Sequence, residues 1–547
     1  LRSALQRTAD TLNSAAEKPL NMKAALQTFE PTPAHKMSVG QAFQTLGAAP
    51  AVIALITVTT ILHVIAAGAV GLGNDEAYTV ANARIISLSY VDYPPLHVWL
   101  VGTWAAVVHS EAPLVVRLPF IAFFAGSTWL MYELTALLFG QRSGFWAALT
   151  FNIAPVYAIA HSSWVLPDGP LTFFMLAGAF LIARQVWGAN SYQHQFANWI
   201  GIGVVTGVGV LTKYHAAFLV TGTFAFLLSF RAGRRLLHTS GPWVALGTAF
   251  VIFLPVLSWN ATHEWLGLFF QSARLTKHTG LSATRVLANI GGQAAYLSPW
   301  LFVPLTLVLY RALRQGPRSQ KTWYLAMLAC GPILFFTGAS FFAKGLPHWS
   351  MPGWLFAFPL LGYRLGDWER LRPRAVRGLA SVSITLTACL LAAFVGETRF
   401  GWITANAKMQ SAEHNPTLDL LDWQDLSVAI QERHLIDSAT PAIAGTSWMT
   451  AGKLNYVIGR NVPVLCLCAD PQQFRFLHDP GIFVGRNVII VQTPWQYEHD
   501  AATLRQSFKR LELLPPVTLE RHGNYALELI ILRGREFDPV ASRGART

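Results

Sequence analysis

Charge is what this sequence has least of. Of its 547 residues only 13% are Asp, Glu, Lys or Arg, against roughly 25% in a water-soluble globular chain. That deficit excludes a soluble globular fold, a disordered chain and a coiled coil. Cysteine is also scarce, at four residues, which excludes a disulfide scaffold. Cys330 and Cys389 fall in apolar runs and read as core filling. Cys466 and Cys468 form a C-x-C too tight for an easy disulfide and without metal-ligand company. Acidic residues are outnumbered 28 to 41, yet the excess is local. Residues 1–396 hold 26 Lys+Arg against 12 Asp+Glu, and residues 397–547 hold 15 against 16. Positive charge that belongs wholly to the apolar part is explained by membrane topology, so no nucleic-acid partner is expected.

What is abundant is apolar surface: 53% hydrophobic residues with 34 Phe and 19 Trp, and a mean hydropathy of +0.38. Apolar segments run at about 50–71, 114–139, 144–160, 168–187, 197–211, 214–230, 242–258, 288–310, 322–341, 350–365 and 375–395, several near the ~20 residues a spanning helix needs. The expected fold class is a polytopic α-helical membrane protein of about 11–13 transmembrane helices. Residues 1–46 lack an apolar run and read as a cytoplasmic lead-in, not a cleavable signal peptide. Alternating the spans from an inside N-terminus gathers Arg231, Arg234, Arg235, Arg311, Arg314, Arg318, Lys321, Arg364, Arg370, Arg372, Arg374 and Arg377 in the cytoplasm. The C-terminus then falls outside.

Two segments interrupt the helical reading. Residues 72–113 form a long first outer loop whose apolar part, 93–109, is short and preceded by Pro94 and Pro95, as expected of a helix lying in the interface. Residues 397–547 contain strand-like runs such as Asn487-Val488-Ile489-Ile490-Val491 and read as a C-terminal extracytoplasmic α/β domain. The transmembrane domain is thus expected over 47–396.

With this topology the outer face collects Asp75, Glu76, Arg84, Asp92, His97, Arg117, His161, Asp168, Lys213, His215, His263, Glu264, Arg274, Lys277, Lys344 and His348. Ionisable groups near span ends are costly and point to a site, although any one of them also reads as a snorkelling or loop residue. Paired carboxylates at Asp75-Glu76 suit a proton-accepting role or a divalent-ion role, and equally a helix N-terminus that favours acids. Asp168 at a helix start also reads as an N-cap, and Lys213 as the one charge in its stretch able to reach water. His161, His263 and His278 lack metal-ligand spacing. Asn260-Ala261-Thr262 is a formal glycosylation sequon.

The motifs in order narrow the reading. Asn74-Asp75-Glu76-Ala77-Tyr78 followed by Asp92-Tyr93-Pro94-Pro95-Leu96-His97-Val98-Trp99 resembles the first outer loop of the GT-C glycosyltransferases of the protein mannosyltransferase and aminoarabinose transferase type. Pro167-Asp168-Gly169-Pro170-Leu171, Leu211-Thr212-Lys213-Tyr214, Gly291-Gly292-Gln293, Leu297-Ser298-Pro299 and His348-Trp349 with Pro352 are similar to later motifs of that family, across about residues 50–365. The match is to its bacterial branch, with one departure. Aminoarabinose transferases carry a Lys before the Pro pair, where this chain has Tyr93, so phosphate neutralisation must come from elsewhere.

The resemblance implies a GT-C fold. It also implies an inverting enzyme that moves a sugar from a polyprenyl-phosphate donor to a lipid acceptor (lipid A or another glycolipid) or a protein acceptor, at the outer side of a bacterial inner membrane. Asp75 is then the expected general base or acceptor-orienting carboxylate, Glu76 its neighbour or a metal contact, and Asp168 a second carboxylate. Lys213, Arg84, Arg274 and Lys344, with Lys277, are the cations for the donor phosphate, and Asp92, Tyr93, His97 and His348 are substrate and loop residues. A divalent cation (Mg, Mn or Zn) at Asp75 and Glu76 is the only cofactor expected. The competing reading is a polyprenyl-linked lipid transporter or flippase, against which stand the absence of internal repeats and the gathering of charge on one face.

Overall fold

The computed structural model describes residues 47–188, 195–276, 280–402 and 417–539; the polar lead-in 1–46, Lys277 and His278 lie outside them. In chain order the helical part runs α1 (Ala48–Ala69), α2 (Asn74–Ala83), α3 (Leu96–Val108), α4 (Pro113–Phe139), α5 (Gln141–Asn152), α6 (Asp168–Trp187), α7 (Gln195–Thr212), α8 (Ala217–Leu228), α9 (Arg231–Leu237), α10 (Gly241–Thr262), α11 (Leu266–Thr276), α12 (Ala283–Leu297), α13 (Pro299–Gln315), α14 (Gln320–Ala339), α15 (Met351–Trp354), α16 (Ala357–Leu371) and α17 (Pro373–Phe400). Six described helices, α1, α4, α6, α10, α14 and α17, are long and apolar enough to cross a membrane. The chain is a multi-pass membrane protein.

Two apolar runs that read as continuous spans are broken, and a third break falls between runs already read apart. The run 288–310 bends by 109° between α12 and α13, at Ser298, which has a φ of 68° and precedes Pro299, a position that disfavours helix. Lys213 is extended, φ −159° and ψ 137°, and separates α7 from α8. The run 144–160 ends as an α-helix at Asn152 and resumes as a wide turn at Tyr157–His161. The breaks at Ser298 and Lys213 lie at two of the motifs, and at the second Lys213 joins the lining of a cavity.

One buried ion pair ties the beginning of the fold together. Arg117, on the first turns of α4, is 1% exposed and uses all five of its donors. Its Nε and Nη2 bond Glu76 at 2.8 and 2.5 Å, Nη1 bonds the carbonyls of Ala67 and Val70, and Nη2 also bonds that of Gly71. Those carbonyls close the end of α1, where a cation is favoured by the helix dipole. Glu76 in turn accepts the backbone N–H of Gly73 at 2.8 Å and of Val165 at 2.9 Å.

The C-terminal part is α/β: α18 (Gln424–Glu432), β1 (Ala442–Gly445), α19 (Trp448–Ile458), β2 (Val464–Cys466), β3 (Val488–Gln492), α20 (Pro494–Ser507), β4 (Phe508–Arg521) and β5 (Asn524–Phe537). Its sheet has the order β2-β1-β3-β5-β4. β1 is parallel to β2 and β3, with Ile443 opposite Val464 and Ile489, and β5 is antiparallel to β3 and β4. Both faces of β3 are covered, Ile489 and Val491 in one core and Val488 and Ile490 in another, which explains its unbroken apolar run. β4 and β5 join through His522-Gly523, with φ of 48° and 78°, the two left-handed residues of a type I′ hairpin turn. Pro515-Pro516 sits in the edge strand β4 at a register shift, where a missing N–H is tolerated.

This part packs with the helical part as one compact body. Helix α19 lies against α2 so closely that a Cβ on Gly452 would stand 3.1 Å from the Tyr78 Cβ. Lys453, 2% exposed, donates to the carbonyls of Asp419 at 2.7 Å, Leu421 at 2.9 Å, and Leu72. Arg84 donates to Asn455 Oδ1 at 2.7 Å and to Glu111 at 2.8 Å.

Removing one member of a buried pair strands the other charge. Arg117→Met is therefore expected to destabilise the protein by about 3–5 kcal/mol, read as a fall in the thermal midpoint of the purified protein. Arg142→Ala, at a half-exposed pair with Glu369, should cost about 1 kcal/mol or less.

Candidate active site

A cavity of about 800 Å³ opens among the breaks just described. Its lining includes Asp75 from α2, Tyr93 and Pro94, Asp168 at the head of α6, Lys213, Arg274 from α11, and His348. The lining also includes the apolar Phe218, Phe335, Phe336 and Leu346, and Trp448 reaches in from the C-terminal part. The cavity thus combines charged groups with aliphatic and aromatic surface.

Local structure explains each charged position. Asp75 sits in the first turn of α2, beside Glu76, whose carboxylate caps the helix start. The Asp75 side chain is exposed along the cavity lining, and desolvation by the surrounding protein together with the neighbouring Asp419 carboxylate pushes its carboxyl up to about 6, against the pull of Arg274. Lys213 leaves the α7 axis at the extended break and bonds both oxygens of Asp168, at 2.9 and 3.0 Å. Asp168 makes no helix-capping bond with its side chain; it is held by a cation. Arg274 lies one turn beyond Gln271, whose side chain bonds the Asp92 carbonyl, so α11 is pinned with that face toward the cavity. Its guanidinium sits 5.3 Å from the centre of the Trp349 ring and 5.5 Å from that of Phe270, an arrangement that orients the cation without neutralising it.

Asp92 and His97 stand in a second row behind this surface. Asp92 is 3% exposed; burial pushes its carboxyl up to about 7, and the Tyr78 hydroxyl facing it pulls the other way. His97 meets the Tyr93 ring edge-on at 5.3 Å, and burial holds its imidazole down to about 3, in the neutral form.

Other expected site residues are placed elsewhere. Arg84 is spent on Glu111 and the C-terminal part, and Lys344 is exposed outside the cavity lining; neither stands ready for a phosphate there. Glu76 is corrected from reserve catalyst and metal contact to a structural anchor, because both of its oxygens are filled by Arg117, Gly73 and Val165. With Glu76 gone, and with Arg274 acting on Asp75, the donor set does not fit a divalent ion, which needs several oxygen ligands. Among the described residues no three His, Cys, Asp or Glu converge on a metal position. The sequon Asn260 is fully buried and bonded to the Val256 carbonyl and the Leu268 N–H, so it cannot accept a glycan.

The family described as dolichyl-phosphate-mannose-protein mannosyltransferase matches residues 92–259. The lipid A galacturonosyltransferase RgtD of Rhizobium johnstonii is 23% identical over 51% of this chain and 58% of its own length. The undecaprenyl phosphate-alpha-4-amino-4-deoxy-L-arabinose arabinosyl transferase of Pseudomonas aeruginosa is 27% identical over 57% of this chain and 56% of its own. The chain thus spans somewhat over half the length of these curated relatives. The crystal structure of ArnT from Cupriavidus metallidurans bound to undecaprenyl phosphate superposes with a TM-score of 0.58 at 15% identity, over 88% of this chain and 97% of that one. The chain is similar, in sequence over part of its length and in fold, to GT-C glycosyltransferases of the bacterial mannosyltransferase and aminoarabinose transferase type. Its fold is that of ArnT in both parts, since the superposition extends well beyond the helices that carry the motifs.

Arg117, Trp448 and Lys453 are structural or cavity residues that motif reading did not assign. Lys453 had a signal, being the only charged residue in the apolar helix α19; Trp448 had none. Lys213→Met should leave Asp168 as an unpaired buried charge and lower stability by about 3–5 kcal/mol, whereas Lys344→Ala should leave the unfolding midpoint unchanged. Infrared titration of wild type against Asp75→Asn should assign a carboxyl with a midpoint about 6; a midpoint near the ordinary 3.9 would contradict the influence of Asp419 and the cavity walls on this group.

Proposed function

We propose that this protein is an inverting glycosyltransferase that takes a sugar from a polyprenyl-phosphate donor and passes it to a lipid acceptor of the lipid A or glycolipid kind. The observation that carries this reading is one cavity lined by Asp75 and Arg274 together with apolar side chains, in which Arg274 acts on the Asp75 carboxyl. The names of the two relatives, a lipid A sugar transferase and an undecaprenyl-phosphate-dependent transferase, support the same donor and acceptor classes. The reaction is placed at the outer side of a bacterial inner membrane, with the N-terminus cytoplasmic and residues 397–547 outside. The basic excess of the helical part supports that orientation.

In this account the acceptor hydroxyl attacks the anomeric carbon from the face opposite the phosphate. Asp75 accepts its proton, and the glycosidic C–O bond breaks to release polyprenyl phosphate. A carboxyl raised to about 6 is a stronger base than an ordinary one and is still ionised at neutral pH. Arg274 takes the charge that grows on the leaving phosphate, and because that group is already an anion no general acid is needed. Lys213 and Asp168 form a neutral, rigid pair that shapes the site and leaves Arg274 as the principal phosphate cation. The apolar wall of Phe218, Phe335 and Phe336 receives the polyprenyl chain.

Transfer of labelled sugar from a polyprenyl-phosphate donor panel by the purified protein in lipid tests this reading. Arg274→Ala should lose about 10²–10³-fold in rate and Asp75→Asn about 10²–10⁴-fold, while Arg84→Ala and Lys344→Ala retain transfer. The kcat/KM profile should fall on the acid side with a midpoint about 6, because protonation removes the base. Intact donor in every assay, with labelled lipid instead crossing the bilayer, would replace the enzyme reading with a flippase.

A further inference from the structure

The C-x-C of the C-terminal part is not idle core material. Cys466 ends β2 and Cys468 begins the loop that follows, and their sulfurs lie 2.8 Å apart with both residues free. The one-residue spacing that made a bridge look too tight is met by a bend in the chain at Cys468, just past Leu467, whose N–H still bonds the Gly445 carbonyl at 2.8 Å. Both thiols line an open pocket of about 310 Å³, together with Arg475, His478, Pro480 and Ser507, so an external reagent can approach.

The loop continues directly into the segment that holds the candidate active site. Four residues beyond Cys468, Gln472 carries a strained φ of 50°, a conformation uncommon for a residue other than glycine. With its amide turned to satisfy both ends, it donates to the Asp92 carboxylate and accepts from Trp448 Nε1, each at 3.2 Å. Gln473 accepts the Val91 N–H at 3.0 Å through its side chain and donates its own backbone N–H to the Tyr78 hydroxyl at 3.0 Å. The position of this short segment therefore fixes Asp92 and the cavity residue Trp448.

We propose that Cys466 and Cys468 form a reversible dithiol–disulfide site, oxidised by exchange with an external disulfide, whose state shifts the Gln472–Gln473 segment that seats Asp92 and Trp448. The Cys468 sulfur accepts a hydrogen bond from the Cys466 thiol, which holds Cys468 below the ordinary thiol value and makes it the attacking thiolate. Cys468 displaces one thiol from the external disulfide to give a mixed disulfide. Cys466 then gives up its proton and attacks the Cys468 sulfur, displacing the second thiol. Two cysteine thiols are oxidised by two electrons, and the external disulfide is reduced to two thiols that carry the protons away. A ring closed by one intervening residue is constrained, which suits a switch more than a permanent staple.

The test uses the full-length protein with oxidised glutathione as the probe, alkylation to trap free thiols, and mass spectrometry. The expected product is a Cys466–Cys468 peptide two hydrogens lighter and free of glutathione, restored by dithiothreitol. Cys466→Ser should accumulate glutathione on Cys468. Amide hydrogen exchange over residues 88–93 should change on oxidation of the wild type and not of the double Cys466→Ser/Cys468→Ser variant. Thiols that stay fully alkylatable in excess oxidised glutathione, or glutathione retained separately on each cysteine, would overturn the site. Clean disulfide formation with unchanged exchange over 88–93 would overturn its coupling to the cavity. These readouts do not depend on transferase activity.

Discussion

The Glu76–Arg117 pair is the constraint on which the rest of this protein depends. Arg117 gathers the carbonyls at the end of α1 and the carboxylate at the start of α2 onto the first turns of α4, and Glu76 extends the same knot to the Val165 N–H just before α6. Three stretches of chain, around residues 67–76, 117 and 165, meet at two side chains. Every lone pair and donor used there is one that would otherwise be buried unpaired, so the knot can adopt few alternatives. Its consequence is local: with Glu76 committed, its neighbour Asp75 is the carboxylate left to face the cavity.

Pairing also decides which of the many cations matter. Lys213 and Asp168 neutralise each other, Arg84 is engaged with Glu111 and the C-terminal part, and Arg274 is oriented by aromatic rings instead of a carboxylate. An arginine held this way keeps most of its charge for a ligand, and its planar fork suits phosphate. The C-terminal part belongs to this arrangement more closely than a tethered cap would. Lys453, Gln472 and Gln473 hold it on the first loop, and Trp448 enters the cavity.

Much of the architecture was legible in the residues alone, because ionisable side chains within apolar runs stand out by their cost. That is why Asp75, Asp168, Lys213 and His348, all on the cavity wall, could be singled out. Partnership was not legible. Asp168 and Lys213 are 45 residues apart, and Arg84, Arg274 and Lys344 are alike as letters, separated only by where tertiary packing leaves each head group. Glu76 looked as chemical as Asp75 until its four hydrogen bonds, to Arg117, Gly73 and Val165, were seen. The helical runs were found, and so was the break at Lys213 between 197–211 and 214–230, but the breaks at Ser298 and Asn152 were not, since hydropathy averages over the few residues where the backbone turns. Trp448 and Gln472 lie in a domain with no recognisable motif, and their role follows from docking alone.

A structure of the protein with a polyprenyl phosphate, read for the position of phosphorus, tests the central claim most directly. The account predicts the phosphate within ion-pair distance, about 4 Å, of the Arg274 guanidinium, with Lys213 still bonded to Asp168 and Asp75 facing the position of the anomeric carbon. A phosphate bound by Lys213 with Asp168 displaced, or held outside the cavity, would contradict it.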